Sequence, residues 1–280
     1  MKEATIRACV IGWPVAHSRS PLIHGYWLEK YRIAGSYTKV PVRPEEVVTF
    51  LRSLHEEGFA GCNVTIPHKE AAYAVAFEKT AAARAMGAAN TLWLEGGRLH
   101  ADNTDGAGFL SHLRSSAPGF DVRGSAISVL GAGGAARGII HAMLEAGAAE
   151  VRVFNRTRER AEALARHFGA RVEPYDWRQR VDRSRDVGLL VNATSLGMEG
   201  APRLDMPLGQ LPQACIVADL VYVPLVTPLL AAAGARGLAV VDGLGMLLHQ
   251  AVPGFEKWFG VRPEVTPELR ALVVADLGGR

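Results

Sequence analysis

Apolar positions fall into two rhythms along the chain. Short apolar or alternating runs bounded by Gly, Pro or Asn predict strands at 6–11, 37–42, 88–94, 98–101, 125–130, 150–154, 186–191, 216–220 and 238–241. A further strand runs through Phe59, Cys62, Val64 and Ile66 and stops at Pro67. Helical spacing follows most of them. It carries Leu22, Ile23, Tyr26, Trp27 and Leu28 after Pro21, then Val47, Val48, Leu51 and Leu54 after Pro44. An Ala-rich helix is expected from 71 to about 86, and others at 106–113, through Ile139, Ile140, Met143 and Leu144, at 228–233, from Gly243 through Trp258, and at 267–277. Alternation of strand and helix predicts an α/β fold with mostly parallel sheets covered by helices on both faces.

Composition narrows the class. The 280 residues are 49% hydrophobic and 21% charged, as in an ordinary globular protein, and are enough for two domains. No apolar run approaches the roughly 20 residues that span a bilayer, and residues 1–15 lack the apolar core of a signal peptide, so a cytoplasmic protein is expected. The net charge of +3 is spread too thinly for a nucleic-acid surface. Cys9, Cys62 and Cys215 each sit in a strand-like run, cannot all pair, and have no metal-ligand spacing; small reduced core residues are expected, and no metal site.

The polar residues at strand ends carry the chemistry. In Asn63-Val64-Thr65-Ile66-Pro67-His68-Lys69, Asn63 and Thr65 share one face of the strand. Pro67 would open a helix and place Lys69 in its first turn, where the macrodipole disfavours a cation and so favours a lysine that exchanges a proton. His17-Ser18-Arg19-Ser20, Asn90-Thr91 and Asp102-Asn103-Thr104-Asp105 occupy comparable places, and ligands in open α/β sheets bind beyond the carboxyl ends of strands. These groups are therefore expected to converge, although Ser20 and Asp105 could equally serve as helix N-caps.

A second site is more sharply written. Gly131-Ala132-Gly133-Gly134-Ala135-Ala136 joins a strand to a helix, which is the G-x-G-x-x-A context of a dinucleotide pyrophosphate loop. The next strand ends in Asn155-Arg156-Thr157-Arg158-Glu159-Arg160, where an NAD enzyme would place an acid against the ribose. Guanidinium and hydroxyl groups suit a 2′-phosphate instead, so the cofactor expected is NADP(H).

Taken together the motifs resemble the shikimate dehydrogenase family. They are Gly12-x-Pro14-Val15-x-His17-Ser18-x-Ser20-Pro21, Asn63-Val64-Thr65-x-Pro67-x-Lys69, Ala89-Asn90-Thr91 and Asn103-Thr104-Asp105-Gly106. They continue with the glycine loop, Asn155-Arg156-Thr157, Asn192-Ala193-Thr194-Ser195-x-Gly197-Met198, Asp219-x-Val221-Tyr222-x-Pro224-x-x-Thr227-Pro228 and Asp242-Gly243-x-x-Met246-Leu247-x-x-Gln250. The resemblance implies NADPH-dependent, reversible reduction of 3-dehydroshikimate to shikimate in aromatic amino-acid biosynthesis. It implies that Ser18 and Ser20, with Tyr222, hold the substrate carboxylate. Thr65, Asn90, Asp105 and Gln250 would bind ring hydroxyls with Asn63 in support, and Lys69, paired with Asp105, would be the acid/base. Gly131, Ala132, Gly133, Gly134 and Ala135 would cradle the pyrophosphate. Asn155, Arg156, Thr157, Arg158 and Arg160 would take the 2′-phosphate, and Thr194, Leu220, Gly243 and Met246 the nicotinamide end.

The resemblance also implies a substrate domain over 1–105, completed by helices in 243–280, and a Rossmann-type NADP domain over 106–242. Small-molecule partners and either a monomer or a homodimer are expected. One departure stands out: family members often carry an acid where this chain has Ala81. Two alternatives remain, a quinate/shikimate dehydrogenase of broader range and a non-catalytic ligand sensor on the same fold. Asn155-Arg156-Thr157 and the paired serines argue against the first, and retention of Lys69 and Asp105 against the second.

Overall fold

The structure, a computed structural model, describes residues 5–278. The chain forms two compact units, one running through Thr104 and resuming at Gln250, the other Asp105–His249. Each has its own six-stranded sheet.

The first unit contains β1 (Ile6–Gly12), α1 (Ser20–Lys30), β2 (Gly35–Pro41), α2 (Val47–Arg52), β3 (Gly61–Val64), α3 (Lys69–Val75), β4 (Glu78–Lys79), α4 (Ala81–Met86), β5 (Thr91–Glu95) and β6 (Arg98–Asp102). The strand order is β2-β1-β3-β5-β6-β4. β1 pairs in parallel with β2 and β3, whereas β5 runs antiparallel to both β3 and β6. This sheet is therefore mixed, and the reversal has a consequence for function: the start of β5 lies beside the end of β3, with Asn63 opposite Thr91 and Thr91 opposite Asp102. One face is covered by an aliphatic core around Ile11, Leu51, Leu54 and Leu92. Aromatic rings of α1 and of α10 (Val252–Phe259), a C-terminal helix, pack with Tyr37 of β2. Trp258 Nε1 donates to Leu92 O at 2.8 Å across Gly61, where a Cβ would come within 2.1 Å of the indole nitrogen.

The single Ala-rich helix expected over 71–86 is interrupted. α3 ends at Val75, Ala76 is extended (φ −61°, ψ 138°), and two residues pair with β6 as β4 before Thr80 caps α4 by accepting from Ala83 N. The break follows from an exchange of hydrogen bonds: the backbone at Phe77 and Thr80 donates to Leu99 and Ala101 rather than continuing a helix. α3 also starts at Lys69 rather than at Pro67, because residues 65–68 close a tight turn (His68 N to Thr65 O, 3.0 Å).

The second unit contains α5 (Asp105–Ser116), β7 (Ala126–Leu130), α6 (Gly134–Glu145), β8 (Glu150–Asn155), α7 (Arg158–Phe168), β9 (Val172–Asp176), β10 (Leu189–Asn192), β11 (Ile216–Asp219), α8 (Pro228–Ala235), β12 (Ala239–Val241) and α9 (Gly243–His249). Its sheet is wholly parallel, ordered β12-β11-β10-β7-β8-β9. Read from β7 this is 6-5-4-1-2-3, the doubly wound dinucleotide-binding order. One buried cluster holds Ile139, Ile140 and Met143 of α6; another holds Leu130, Phe154, Leu190 and Leu229. At roughly 1.5–3 kcal/mol for each large side chain fully buried, the parallel strands must be apolar on both sides, and they are.

The continuous helix expected from Gly243 through Trp258 is two, α9 and α10, with Pro253 in the first turn of α10. α9 groups with the second unit, whereas the expectation set 243–280 with the first. It packs closely on α5, where a Cβ at Gly245 would fall 2.0 Å from the His112 ring. α11 (Pro267–Gly278) belongs to the first unit. In the charged stretch 178–186, Arg178, Asp182, Arg183, Arg185 and Asp186 are exposed, while two residues tie it to the fold. Ser184 is buried with its Oγ 2.7 Å from Ser128 Oγ, and Arg180 donates to Asp205 O at 2.7 and 3.0 Å.

Candidate active site

In the first unit the polar groups gather where β1 and β3 end. Ser20 is the first residue of α1 and its hydroxyl caps nothing; the N-cap is Arg19, which offers no side-chain bond. Ser18 Oγ donates to Ser20 Oγ at 3.2 Å, and Ser20 N donates to Ser18 Oγ at 3.3 Å. Two hydroxyls held side by side at a helix start suit an anion with two oxygens. Gly12 makes this corner possible: a Cβ there would lie 2.5 Å from Thr65 Cγ2. Trp13 N donates to Ile66 O, and Thr65 N to Ile11 O, which ties the two strand ends together.

Beside them runs a continuous hydrogen-bonded network. Tyr37 Oη donates to Asn63 Oδ1 at 2.6 Å, and Asn63 Nδ2 donates to Asn90 O and Thr91 Oγ1. Asn90 Oδ1 accepts from Thr104 N, and Asn90 Nδ2 donates to Gln250 Oε1 at 3.2 Å. Thr104 Oγ1 in turn donates to Gln250 O at 2.8 Å, pinning residue 250 against the sheet. Asn90 and Gln250 thus meet across 160 residues of sequence, held by the β3/β5/β6 register. Asn63 spends both amide protons inward, which makes it a strut for Asn90 and Thr91. Thr65 and Lys69 are half-buried beyond the end of β3, Lys69 opening α3. Ala81 opens α4, and Thr80 donates to Asp102 there.

The second unit places the glycine loop at the switch point between β7 and β10. Gly131 sits at φ +106°, and a Cβ would come within 3.0 Å of Thr194 Cγ2 and 3.1 Å of Ala193 O, so this turn requires glycine. Gly133 is the N-cap of α6 and provides no side-chain bond to the helix start. Asn155 Nδ2 donates to Thr157 O at 2.8 Å and shapes the turn that carries the exposed Arg156. Arg158 pairs with Glu162 at 3.0 Å along α7, and Arg160 follows on the same exposed turn. A cavity of about 210 Å³ is lined by Gly131, Ala132, Gly133, Asn155, Arg156 and Thr194 of the expected set. Trp177, Ser195 and Leu196 line it as well and were not foreseen; Trp177 follows β9, a strand obscured in sequence by Pro174. Pro174 is tolerated because β9 is at the sheet edge. A glycine cradle, bare helix-start amides and an arginine around one cavity fit a dinucleotide phosphate ester.

Leu220 and Gly243 adjoin: a Cβ at Gly243 would lie 2.3 Å from Leu220 O. Met246 packs against the α6 core, Tyr222 is half-buried in the loop after β11, and Asp105 is half-buried at the first position of α5.

Beneath the cofactor loops lies a carboxylate not foreseen as structural. Asp219 is 1% exposed and accepts from Asn192 Nδ2 (2.9 Å), Val221 N (3.0 Å) and Thr227 Oγ1 (2.7 Å). Asn192 Oδ1 accepts from Thr194 N and Oγ1, so Asp219 fixes Thr194 through one intermediary. Burial pushes the Asp219 carboxyl up to about 6, against hydrogen bonds that favour its charged form. Because its folded pKa lies above the unfolded value near 3.9, ionising it costs stability, and the cost is relieved as pH falls through 6. This group alone is expected to add about 1 kcal/mol of stability between pH 7 and pH 5. Asp219→Asn removes that slope, which urea denaturation at both pH values measures; an unchanged slope would clear Asp219 of the effect.

The family description "Shikimate dehydrogenase substrate binding domain" matches residues 10–92, "Shikimate / quinate 5-dehydrogenase" residues 114–196, and "Shikimate 5'-dehydrogenase C-terminal domain" residues 243–272. A shikimate dehydrogenase (NADP(+)) of Nitrobacter winogradskyi is 57% identical over 276 residues, covering 98% of each chain. That of Azorhizobium caulinodans is 54% identical over 274 residues, again 98% of each. The crystal structure of the Thermus thermophilus shikimate 5-dehydrogenase in complex with NADP(H) and shikimate superimposes with a TM-score of 0.84 at 39% identity, covering 98% of this chain and 100% of that one. Two units with these sheets, these strand-end motifs in order and relatives of this identity over full length lead to one assignment: the chain belongs to the shikimate dehydrogenase family.

Proposed function

We propose that the protein is an NADP-dependent shikimate dehydrogenase, which reduces 3-dehydroshikimate to shikimate and runs the reaction in reverse. The observation that carries this reading is the intact substrate-side network, Ser18–Ser20 and Asn63–Asn90–Gln250, in a chain 39% identical to a protein solved with NADP(H) and shikimate. Ser18 and Ser20 hold the substrate carboxylate, with Tyr222 assisting. Thr65, Asn90, Asp105 and Gln250 hold the ring hydroxyls, with Thr65, Asn90 and Gln250 supplying the neutral donors and acceptors that a polyhydroxylated acid needs. Bound NADPH supplies the hydride to the ketone carbon. Lys69, as the ammonium, donates a proton to the oxygen that becomes the hydroxyl, and Asp105 orients it and balances its charge. In the oxidative direction Lys69 takes that proton back.

On the cofactor side, Gly131, Ala132, Gly133, Gly134 and Ala135 receive the pyrophosphate. Asn155, Arg156, Thr157 and Arg160 receive the 2′-phosphate, with Arg158 contributing less because Glu162 already neutralises it. Thr194, Leu220, Gly243 and Met246 line the nicotinamide end. The proposal places the enzyme in the cytoplasm, in keeping with three buried, unpaired cysteines.

Initial rates with shikimate and quinate, each with NADP+ and NAD+, test the assignment. Turnover is expected to be largest with shikimate and NADP+. A preference for quinate with NAD+ would overturn it in favour of the activity named for the Corynebacterium glutamicum quinate dehydrogenase, 28% identical with a TM-score of 0.88. No turnover in any pairing would favour a ligand sensor.

A further inference from the structure

Arg156 and Trp177 leave the second sheet side by side. β8 and β9 are parallel with Asn155 opposite Asp176, so the next residue of each strand emerges at the same carboxyl edge. Both line the 210 Å³ cavity. They lie on the β8 side of the switch point, which in doubly wound sheets is the adenosine side.

The indole is unusually well fixed for a residue beside a surface cavity. Asp176 caps the short turn that follows it, its carboxylate accepting from Arg178 N at 2.8 Å, while Asp176 N donates to Gln179 Oε1. Arg180 donates to Trp177 O at 2.9 Å, and its guanidinium carbon lies 4.8 Å from the indole centroid. Arg180 is itself held by Asp205 O through two hydrogen bonds and its side chain is 11% exposed. A pinned cation therefore backs the ring, and the ring's other neighbours are the apolar cluster that includes Leu196. Filling that cluster requires bulk; it does not require an indole bordering the cavity.

We propose that Trp177 is the adenine platform of the cofactor site, with the purine held between its indole and Arg156 and with Arg180 stacked behind the indole. This rests on the cofactor reading above. A purine is the one extended aromatic surface at that end of the dinucleotide, and stacking on an indole or a guanidinium is its favoured contact. Stacking is commonly worth about tenfold in affinity per base.

The probe is adenosine 2′,5′-bisphosphate, which carries the adenosine half alone, with nicotinamide mononucleotide as the other half. Affinities are measured by calorimetry on the wild type, Trp177→Leu, which keeps apolar bulk, and Trp177→Phe, which keeps an aromatic face. Trp177→Leu is expected to weaken the bisphosphate and NADP+ about tenfold and leave the mononucleotide unchanged, whereas Trp177→Phe recovers to within about threefold. Trp177 is the only tryptophan of 105–249, so the bisphosphate is also expected to quench wild-type emission and to lose most of that quenching in Trp177→Phe. Bisphosphate affinity within twofold of wild type in Trp177→Leu would overturn the proposal, as would equal loss in Leu and Phe, which marks packing alone. Should Trp177→Leu not fold, undiminished quenching in Trp177→Phe overturns it. A wild type that binds neither NADP+ nor the bisphosphate strikes the cofactor reading itself; binding that ignores residue 177 strikes only this proposal.

Discussion

Lys69→Ala is expected to lower kcat for shikimate oxidation about a thousandfold while KM changes only a few-fold. A positioned general acid or base typically contributes 10²–10⁴ in rate, and Lys69 is assigned a proton transfer rather than ground-state binding. Lys69→Arg sharpens the test. It keeps the positive charge and the hydrogen-bond donors, but a guanidinium does not give up its proton near neutral pH. Both variants are therefore expected to be crippled in kcat. If Lys69→Arg retains most of kcat, the side chain contributes charge and not proton transfer. If Lys69→Ala raises KM with kcat unchanged, it is a binding residue. The position is set by the backbone: residues 65–68 turn tightly off the end of β3, and Lys69 starts α3 at the edge where Thr65 and Asn90 stand.

The largest pH effect on stability is expected from His24, which lies in the first unit and takes no part in the proposed chemistry. Its ring is wholly buried, stacked at 4.0 Å on Tyr37 and enclosed by Trp27, Phe255 and Trp258. Neither ring nitrogen makes a well-formed hydrogen bond among the described residues. Burial pushes the imidazole down to about 3, opposed in part by the Asn63 side chain. The unfolded chain binds a proton at this residue below about 6.5 and the folded chain does not, so stability is full above 6.5 and is lost as pH falls through that value. Between pH 7.5 and pH 4 the loss from His24 alone comes to about 3 kcal/mol. His24→Phe preserves an aromatic ring and cannot titrate. Its urea midpoint is expected to fall less than the wild type's over that range, and parallel declines in the two proteins would show that the ring is not the acid-sensitive element.

The two assigned pH slopes have opposite signs and different places in the fold. Asp219 stabilises the second unit as pH falls, whereas His24 destabilises the first.

Sequence patterning reached the parallel strands of the second unit because these are buried on both faces and read as apolar runs that glycine and proline delimit. It reached the glycine loop and Asn155-Arg156-Thr157 because local chemistry at a strand end is contiguous in the chain. It missed the division of 71–86 because the competing hydrogen bonds come from β6, some twenty residues on, and alanine spacing contains no trace of them. It missed β9, and with it Trp177, because Pro174 argues against a strand everywhere except at an edge, and which strand is the edge is a property of the assembled sheet. The helix from Gly243 to Trp258 broke at 249–252 for a similar reason. Gln250 is fixed by Thr104 and Asn90, partners about 150 residues away.

The sequence by itself determined which residue types stand at which strand ends: Ser18 and Ser20, Thr65 and Lys69, the glycine loop, and an arginine where an NAD enzyme has an acid. These follow from backbone geometry and periodicity, which act over a few residues at a time. Only the tertiary structure decided what each polar group is left to do. It joined Asn63, Asn90 and Gln250 into one network, left the Ser20 hydroxyl facing Ser18 rather than capping a helix, buried Asp219 beneath Thr194, and set Trp177 beside Arg156. Hydrogen-bond satisfaction and burial are settled by neighbours distant in the chain, and no local pattern carries that information.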